Sequence, residues 1–153
     1  MTESQTGSVD PWQRTLTEMR GLAEQSAVNT QCIVPAETTP TPPSVGQSDR
    51  WGLIYTVPAS TATAIRDACD AGFQQDEVYR HQTGGQLYLV TRLEKTEGGE
   101  LFIAGVVDRK RASALIETAD ETGQMFTHFQ TLDWTQLGSV RHSDPHRFFA
   151  ALE

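Results

Sequence analysis

The sequence predicts a two-layer α+β domain, in which amphipathic helices pack on one face of a mainly antiparallel sheet. Two Gly-Gly pairs divide the centre of the chain into three strand-like runs. The segments on either side carry apolar residues at helical spacing, and these helical segments are few. The 153 residues fit one domain of ordinary size, and we expect residues 10–153 to form it.

The N-terminal part begins with residues 1–9, which carry no periodic pattern and are expected to be a disordered tail. Asp10 followed by Pro11 is typical of a helix start. Apolar residues at helical spacing follow, and they predict an amphipathic helix over about 10–26. The run QCIVPAE (31–37) predicts a short strand.

The segment TTPTPPSVGQSDR (38–50) contains three prolines between polar residues, which predicts a proline-rich exposed loop. After it, WGLIYTVP (51–58) is dominated by aromatic and β-branched residues, which predicts a strand. The next segment, ASTATAIRDACDAG (59–72), predicts a second helix that ends at Gly72.

The centre of the chain, residues 76–108, reads as a three-stranded meander. Its strand candidates are DEVYRHQ, QLYLVTRLE and ELFIAGVVD, and the turns between them are TGG and KTEGG. Glycine supplies the positive φ angles that tight hairpins need, so we expect both connections to be antiparallel hairpins.

The C-terminal part predicts a third helix at RKRASALIETADETG (109–123) and a strand at QMFTHFQTLDW (124–134). A final helix is expected to begin at Asp144. The resulting order, α-β-β-α-β-β-β-α-β-(β)-α, resembles roadblock and profilin-like modules at the level of the fold alone, and such a likeness implies no activity.

The charge balance indicates which partners fit the chain. Acidic residues number 20 against 12 basic ones, a net charge of −8, and only two of the basic residues are lysines. Such a surface disfavours binding to nucleic acid, and it is typical of a protein that stays dissolved in a high-salt, halophilic cytoplasm. No apolar run approaches the roughly 20 residues of a membrane helix, so we expect a cytoplasmic protein without membrane attachment.

The stretch RHSDPHRFFAAL (141–152) looks most like a chemical site, and it has two interpretations. In the favoured one, Asp144 and the following proline begin a helix that docks through its phenylalanines. In the alternative, His142, Asp144 and His146, with His128 brought in by the sheet, bind a metal or another ligand. Because helix capping explains this stretch, we assign no catalytic, cofactor-binding or metal-binding residue and expect no cofactor.

Structural roles thus account for nearly every conspicuous residue. The leading hypothesis is a non-enzymatic protein-interaction module, regulatory or accessory in role, that contacts a protein partner or associates with itself. Its candidate surface comprises Trp12, Trp134 and two arginines of the basic cluster DRKR, Arg109 and Arg111. The alternative is a small ligand-binding domain or enzyme with a site near His128, His142 and Asp144.

Three motif blocks carry a resemblance to a known family. The blocks DEVYR…GG…LYLVTRLE, A…LIETADETG…THFQTL and SVRHSDPHRFF are similar to those of a family of small uncharacterised haloarchaeal proteins. The likeness extends over residues 12–149. It implies an archaeal, halophilic and cytoplasmic protein, and it implies no activity and no site residue.

Overall fold

The computed structural model describes residues 10–26, 29–43 and 50–149, which contain four α-helices and eight strands. The expected tail at 1–9 lies outside the described residues. The elements, in chain order, are α1 (Pro11–Glu24), β1 (Thr30–Ile33), β2 (Glu37–Thr41), β3 (Gly52–Thr56), α2 (Ala62–Ala71), β4 (Phe73–Thr83), β5 (Gln86–Lys95), β6 (Glu100–Asp108), α3 (Ser113–Thr122), β7 (Met125–Gln130), β8 (Gln136–His142) and α4 (His146–Phe149).

The strands form two four-stranded mixed sheets. The first sheet has the order β1-β6-β5-β4, and the second has the order β2-β3-β7-β8. The predicted meander is confirmed as β4-β5-β6, and Gly84 and Gly85 turn its first hairpin at φ values of 59° and 80°. The β1–β6 and β3–β7 ladders are parallel, whereas the other four are antiparallel. The α+β class is therefore confirmed.

The main core lies between the two sheets. Leu89 of β5 and Tyr55 of β3 belong to one buried cluster, which residues of α2, α3 and α4 complete. Helix α1 packs on the other face of the first sheet, where Leu16 and Met19 contact a cluster that includes Phe102. The structure therefore differs from the predicted arrangement, in which all helices pack on one face of a single sheet. The physical reason is that β5 and β6 are apolar on both faces, so both faces must be covered.

The prediction of a proline-rich loop at 38–50 is wrong for residues 38–41. Glu37–Thr41 forms β2, which pairs antiparallel with β3 in a register that aligns Pro40 with Leu53. Proline is tolerated here because β2 is an edge strand and needs no donor on its outer side. Residues 44–49 of that segment lie outside the described residues. Within the described part, no helix has both the length and the apolar character to cross a bilayer.

Candidate functional site

The four residues of the predicted ligand site do not share one place in the structure. His142 pairs with Met125, so these two side chains lie on the same face of the second sheet. His128 follows Met125 by three residues in β7, so its side chain lies on the opposite face. The other two residues are near the surface, where Asp144 lies 3.5 Å from the guanidinium of Arg147 and His146 lies 3.6 Å from the carboxylate of Asp120.

No group of three or more metal-ligating side chains occurs among the residues that the structure describes. The final helix begins at His146, two residues after the predicted start. The backbone carbonyl of Asp144 accepts a hydrogen bond from the backbone N–H of Arg147, so Asp144 still takes part in starting that turn.

His142 is the centre of a buried polar network. Its side chain is 1% exposed, and its Nδ1 lies 2.5 Å from Oδ2 of Asp76 in β4. Its Nε2 lies 2.8 Å from the hydroxyl oxygen of Thr127 in β7. An ionised carboxylate only accepts hydrogen bonds, so in the neutral imidazole Nδ1 donates to Asp76 and Nε2 accepts the Thr127 hydroxyl proton.

Arg147 extends this network to helix α4. Its Nη1 lies 3.0 Å from Oδ1 of Asp76 and also donates to the Asp76 backbone carbonyl. The hydrogen bond from His142, helped by the charge of Arg147, lowers the pKa of Asp76 although burial opposes the shift. Because Asp76 belongs to the first sheet and His142 to the second, the network ties both sheets and α4 together.

The order carboxylate–imidazole–hydroxyl is that of a nucleophilic triad. Such a triad works only when the hydroxyl can reach a substrate. Thr127 and His142 are each 1% exposed, so no substrate can approach the Thr127 oxygen in this conformation. The Asp76–His142–Thr127 network is therefore suited to holding the sheets together, and the chemistry of acyl transfer is closed to it.

His128 also uses both of its ring nitrogens. Nε2 lies 2.9 Å from the carbonyl oxygen of Trp51, which can only accept, so Nε2 carries the proton. Nδ1 accepts from the hydroxyl of Ser139 at 2.6 Å. With both nitrogens engaged, His128 has no lone pair for a metal ion in this arrangement.

The turn between β7 and β8, residues 131–135, presents a different kind of surface, which we call the Trp134 turn. Leu132 is 72% exposed and Trp134 is 77% exposed, and they are the exposed large hydrophobic residues of the described chain. Trp134 has a φ of 70°, a left-handed conformation that is uncommon for residues other than glycine.

Asp133 holds the Trp134 turn in place. Its carboxylate accepts hydrogen bonds from the hydroxyls of Thr131 and Thr135, the latter at 2.9 Å. These hydrogen bonds lower the pKa of Asp133, and the bond from Thr131 has the largest effect. The backbone N–H of Trp134 also donates to the carbonyl of Thr131 at 2.9 Å, so the turn is closed by both backbone and side-chain bonds.

The other predicted surface residues lie elsewhere. Trp12 is partly buried against the cluster beneath α1, so it does not extend the Trp134 turn. Arg109 and Arg111 are exposed just before α3, where the carboxylate of Asp108 accepts from the backbone N–H groups of Lys110 and Arg111. Sequence reasoning did not single out Leu132, although the Thr-x-Asp-x-Thr spacing around it is a signal for a side-chain-closed turn.

A family model described as a family of unknown function (DUF7529) matches residues 1–150 of the chain. No curated protein and no solved structure matches it. The match covers nearly the whole sequence, including both sheets and the Trp134 turn. The chain therefore belongs to this family of unknown function, DUF7529.

Proposed function

We propose that the protein is a non-enzymatic interaction module, regulatory or accessory in role, and that it binds a protein partner through the Trp134 turn. The observation that carries this proposal is the exposure of Leu132 and Trp134 on a turn with a fixed backbone. Large apolar side chains presented in this way are typical of protein–protein contacts.

The energetics of the turn support this role. Covering a side chain such as leucine or tryptophan with a partner contributes roughly 1.5–3 kcal/mol. The turn is already closed by Asp133, so little ordering free energy is lost on binding. A left-handed backbone at a bulky residue costs of order 1 kcal/mol or more, and such conformations concentrate at functional sites.

The surroundings of the turn also suit a protein partner. A cavity of about 380 Å³ lies beside Leu132 and is lined in part by Ala59, Ala62 and Leu137. A partner side chain entering this cavity would add apolar contact next to the two anchors. The net charge of −8 makes a nucleic acid an unfavourable partner for the protein as a whole.

We also propose that this interaction takes place in the cytoplasm of a salt-loving archaeon. The support is compositional: 20 acidic residues, two lysines among 12 basic residues, and a sequence pI near 4.9. At molar salt, surface charges are screened within roughly 3 Å, so apolar anchors would supply most of the attraction.

Photo-crosslinking tests the proposal directly. A photoreactive phenylalanine derivative replaces Trp134 in one variant and the exposed Glu97, in the β5–β6 turn, in a matched control. In lysate of the native host, we expect a discrete protein adduct from position 134 and none at that mass from position 97. Excess wild-type protein should compete the adduct away, whereas a Leu132→Ser/Trp134→Ser variant should not. Equal adducts from both positions, or none from position 134, would refute the proposal.

A further inference from the structure

Strand β4 lies at one edge of the first sheet, with β5 as its neighbour on the inner side. It has 11 residues and is the longest strand of the described chain. A strand at a sheet edge leaves the backbone N–H and C=O groups of its outer side without a partner in the sheet, and proteins usually cover or distort such edges. The bonds on the outer side of β4 therefore show whether this edge is closed or open.

The hairpin turn identifies the residues of β4 whose backbone groups point outward. The two-residue turn Gly84–Gly85 joins β4 to β5, so the flanking residues Thr83 and Gln86 form a hydrogen-bonded pair. Such pairs alternate along the ladder with pairs whose N–H and C=O groups point away from the partner strand. The register is regular over 75–83. The outward residues are therefore Asp76, Val78, Arg80 and Gln82.

One of these four positions is closed by the protein itself. The outward carbonyl of Asp76 accepts a hydrogen bond from the guanidinium of Arg147 in α4. The outward backbone groups of Val78, Arg80 and Gln82 have no hydrogen-bond partner among the residues that the structure describes. The open part of the strand therefore runs from Val78 to Gln82, and we call it the β4 edge.

A cavity of about 510 Å³ lies beside the β4 edge, between this strand and helix α1. Its lining includes Arg14, Thr17 and Glu18 of α1 and His81 of β4. The imidazole of His81 stacks on the ring of Tyr88 in β5, with the ring centres 5.1 Å apart. A strand added at the β4 edge would direct every second side chain toward the face on which His81 lies. The edge and the cavity together therefore form a groove between an edge strand and a helix.

We infer that the β4 edge binds an extended segment of a different protein, which adds to the four-stranded first sheet as a further strand and places one side chain in the cavity beside α1. An extended backbone presents N–H and C=O groups at the same two-residue spacing as Val78, Arg80 and Gln82. This surface shares no residue with the Trp134 turn, so the inference goes beyond the function proposed above.

The lining of the cavity defines the side chain that enters it. Arg14 and Glu18 carry opposite charges, and Thr17 and His81 add groups that donate and accept hydrogen bonds. An acidic or a basic side chain would meet one like charge there. The side chain that fits is uncharged and both donates and accepts hydrogen bonds, as those of glutamine and asparagine do.

A second copy of this chain fits the β4 edge less well than a different protein does. Two copies of β4 would pair about a two-fold axis. All three open positions of both copies meet only when this axis lies at Arg80, and two arginines are then directly opposite, which is destabilising. Any shifted register sets an open position against Asp76, which Arg147 closes, or against the Gly84–Gly85 turn.

Peptide selection on the full chain tests the inference. The probe is a phage-displayed library of random linear peptides, selected on the immobilised wild type, and each enriched peptide is then synthesised. Gln82→Pro is the edge variant, because proline removes an outward N–H that takes no part in the bonds to β5. Gln82→Thr is the matched control, since it changes the side chain and keeps the N–H.

We expect the enriched peptides to bind the wild type and Gln82→Thr equally and to bind Gln82→Pro about 10-fold more weakly. Methylation of the peptide's backbone nitrogens should weaken binding at every second residue and have little effect at the residues between, because one side of the added strand faces β4. This second measurement uses the wild type, so it tests the inference even if Gln82→Pro does not fold.

Amide hydrogen exchange locates the bound peptide on the wild-type protein. The N–H groups of Val78, Arg80 and Gln82 should gain protection when the peptide binds. The N–H groups of Tyr79 and His81 point toward β5, so their protection should change little.

The cavity is tested with Arg14→Ala. Its control is Arg20→Ala, which makes the same change at an exposed position of the same helix outside the cavity lining. We expect a glutamine or asparagine to recur at one position of the enriched peptides. The affinity of these peptides should fall several-fold with Arg14→Ala and stay at the wild-type level with Arg20→Ala.

Several outcomes would overturn the inference. One is a library from which no peptide is enriched, and another is an enriched peptide that leaves the exchange of the Val78, Arg80 and Gln82 amides unchanged. Equal affinity for the wild type and a folded Gln82→Pro would do the same. Self-association of the wild type that Gln82→Pro abolishes would show that the added strand belongs to a second copy.

Discussion

The two ends of the β7–β8 hairpin place polar and apolar groups in opposite ways. At the end formed by Met125 and His142, an imidazole, a carboxylate and a hydroxyl are gathered in the interior. At the other end, Leu132 and Trp134 project into solvent. The difference teaches that the polar groups at one end satisfy one another in the fold, whereas the two apolar side chains at the other end gain no burial from folding, as the proposed binding role requires.

Substitutions should therefore separate the two ends. Changes at the buried network should lower the free energy of unfolding, because each removed group leaves a buried or half-buried partner without a hydrogen bond. Changes at the Trp134 turn should leave that free energy nearly unchanged or raise it. The largest effects are expected at the His142 end.

The largest expected effect is that of His142→Ala. It leaves the Asp76 carboxylate and the Thr127 hydroxyl without their central partner, and it opens a cavity against Phe148, whose ring lies 4.8 Å from the imidazole. We expect the free energy of unfolding to fall by about 3–4 kcal/mol, measured by urea denaturation at neutral pH.

The matched control for this prediction is His146→Ala. His146 also faces a carboxylate, that of Asp120, but its side chain is 58% exposed and the distance is 3.6 Å. An exposed pair of this kind contributes about 0.5 kcal/mol or less. If the two histidine variants lost equal stability, the contrast between a buried network and an exposed pair would be wrong.

The features predicted best from the sequence are those that depend on residues close together along the chain. The Gly-Gly turns and the strand-like runs of β4-β5-β6 are local signals, and so are the Asp-Pro start and apolar spacing of α1. The sequence could not predict that Glu37–Thr41 is a strand, because Pro40 is compatible with a strand only at a free edge. Which strand is at an edge depends on the assembled sheet.

The site was harder to predict because its members are far apart in sequence. Asp76 and His142 are 66 residues apart and belong to different sheets, so no local pattern joins them. In the alternative interpretation of the sequence, Asp144 was the carboxylate near His142, but proximity along the chain did not bring the two side chains into one site. Trp134 was predicted as a surface residue from its type alone, whereas its exposure together with Leu132 depends on how the hairpin projects from the fold.

A smaller effect is expected from pH, through Asp76. Its pKa is lower in the folded protein than the ordinary value of 3.8, so its ionised form stabilises the fold above that value. The stabilisation is lost as the pH falls through the folded-state pKa. Asp76→Asn should therefore lower the free energy of unfolding by about 2 kcal/mol at pH ~7, with the difference from wild type shrinking below pH ~4.

Urea denaturation of both proteins at neutral and acidic pH measures this difference. Asp120→Asn is the matched control, since it makes the same chemical change at a carboxylate that is 62% exposed. A difference between wild type and Asp76→Asn that stays constant down to pH ~3 would show that the carboxylate charge is not what stabilises the network.

The smallest expected effect on stability concerns the backbone conformation at Trp134. Its sign is more informative than its size. At a φ of 70°, alanine is strained while glycine is not, so Trp134→Gly should be more stable than Trp134→Ala by about 1 kcal/mol. At Leu132, which does not have positive φ, the order should reverse, with glycine less stable than alanine by about 0.5–1 kcal/mol. Urea denaturation of the four variants measures both differences.

Opposite signs at two positions of one turn can come only from the backbone, because each comparison removes the large side chain from both members. The strain at Trp134 would then be a cost that the free protein bears in order to hold the indole outward, which is the behaviour expected of a binding surface. If glycine were the less stable choice at both positions, the left-handed conformation would impose no strain, and the support for binding would rest on exposure alone.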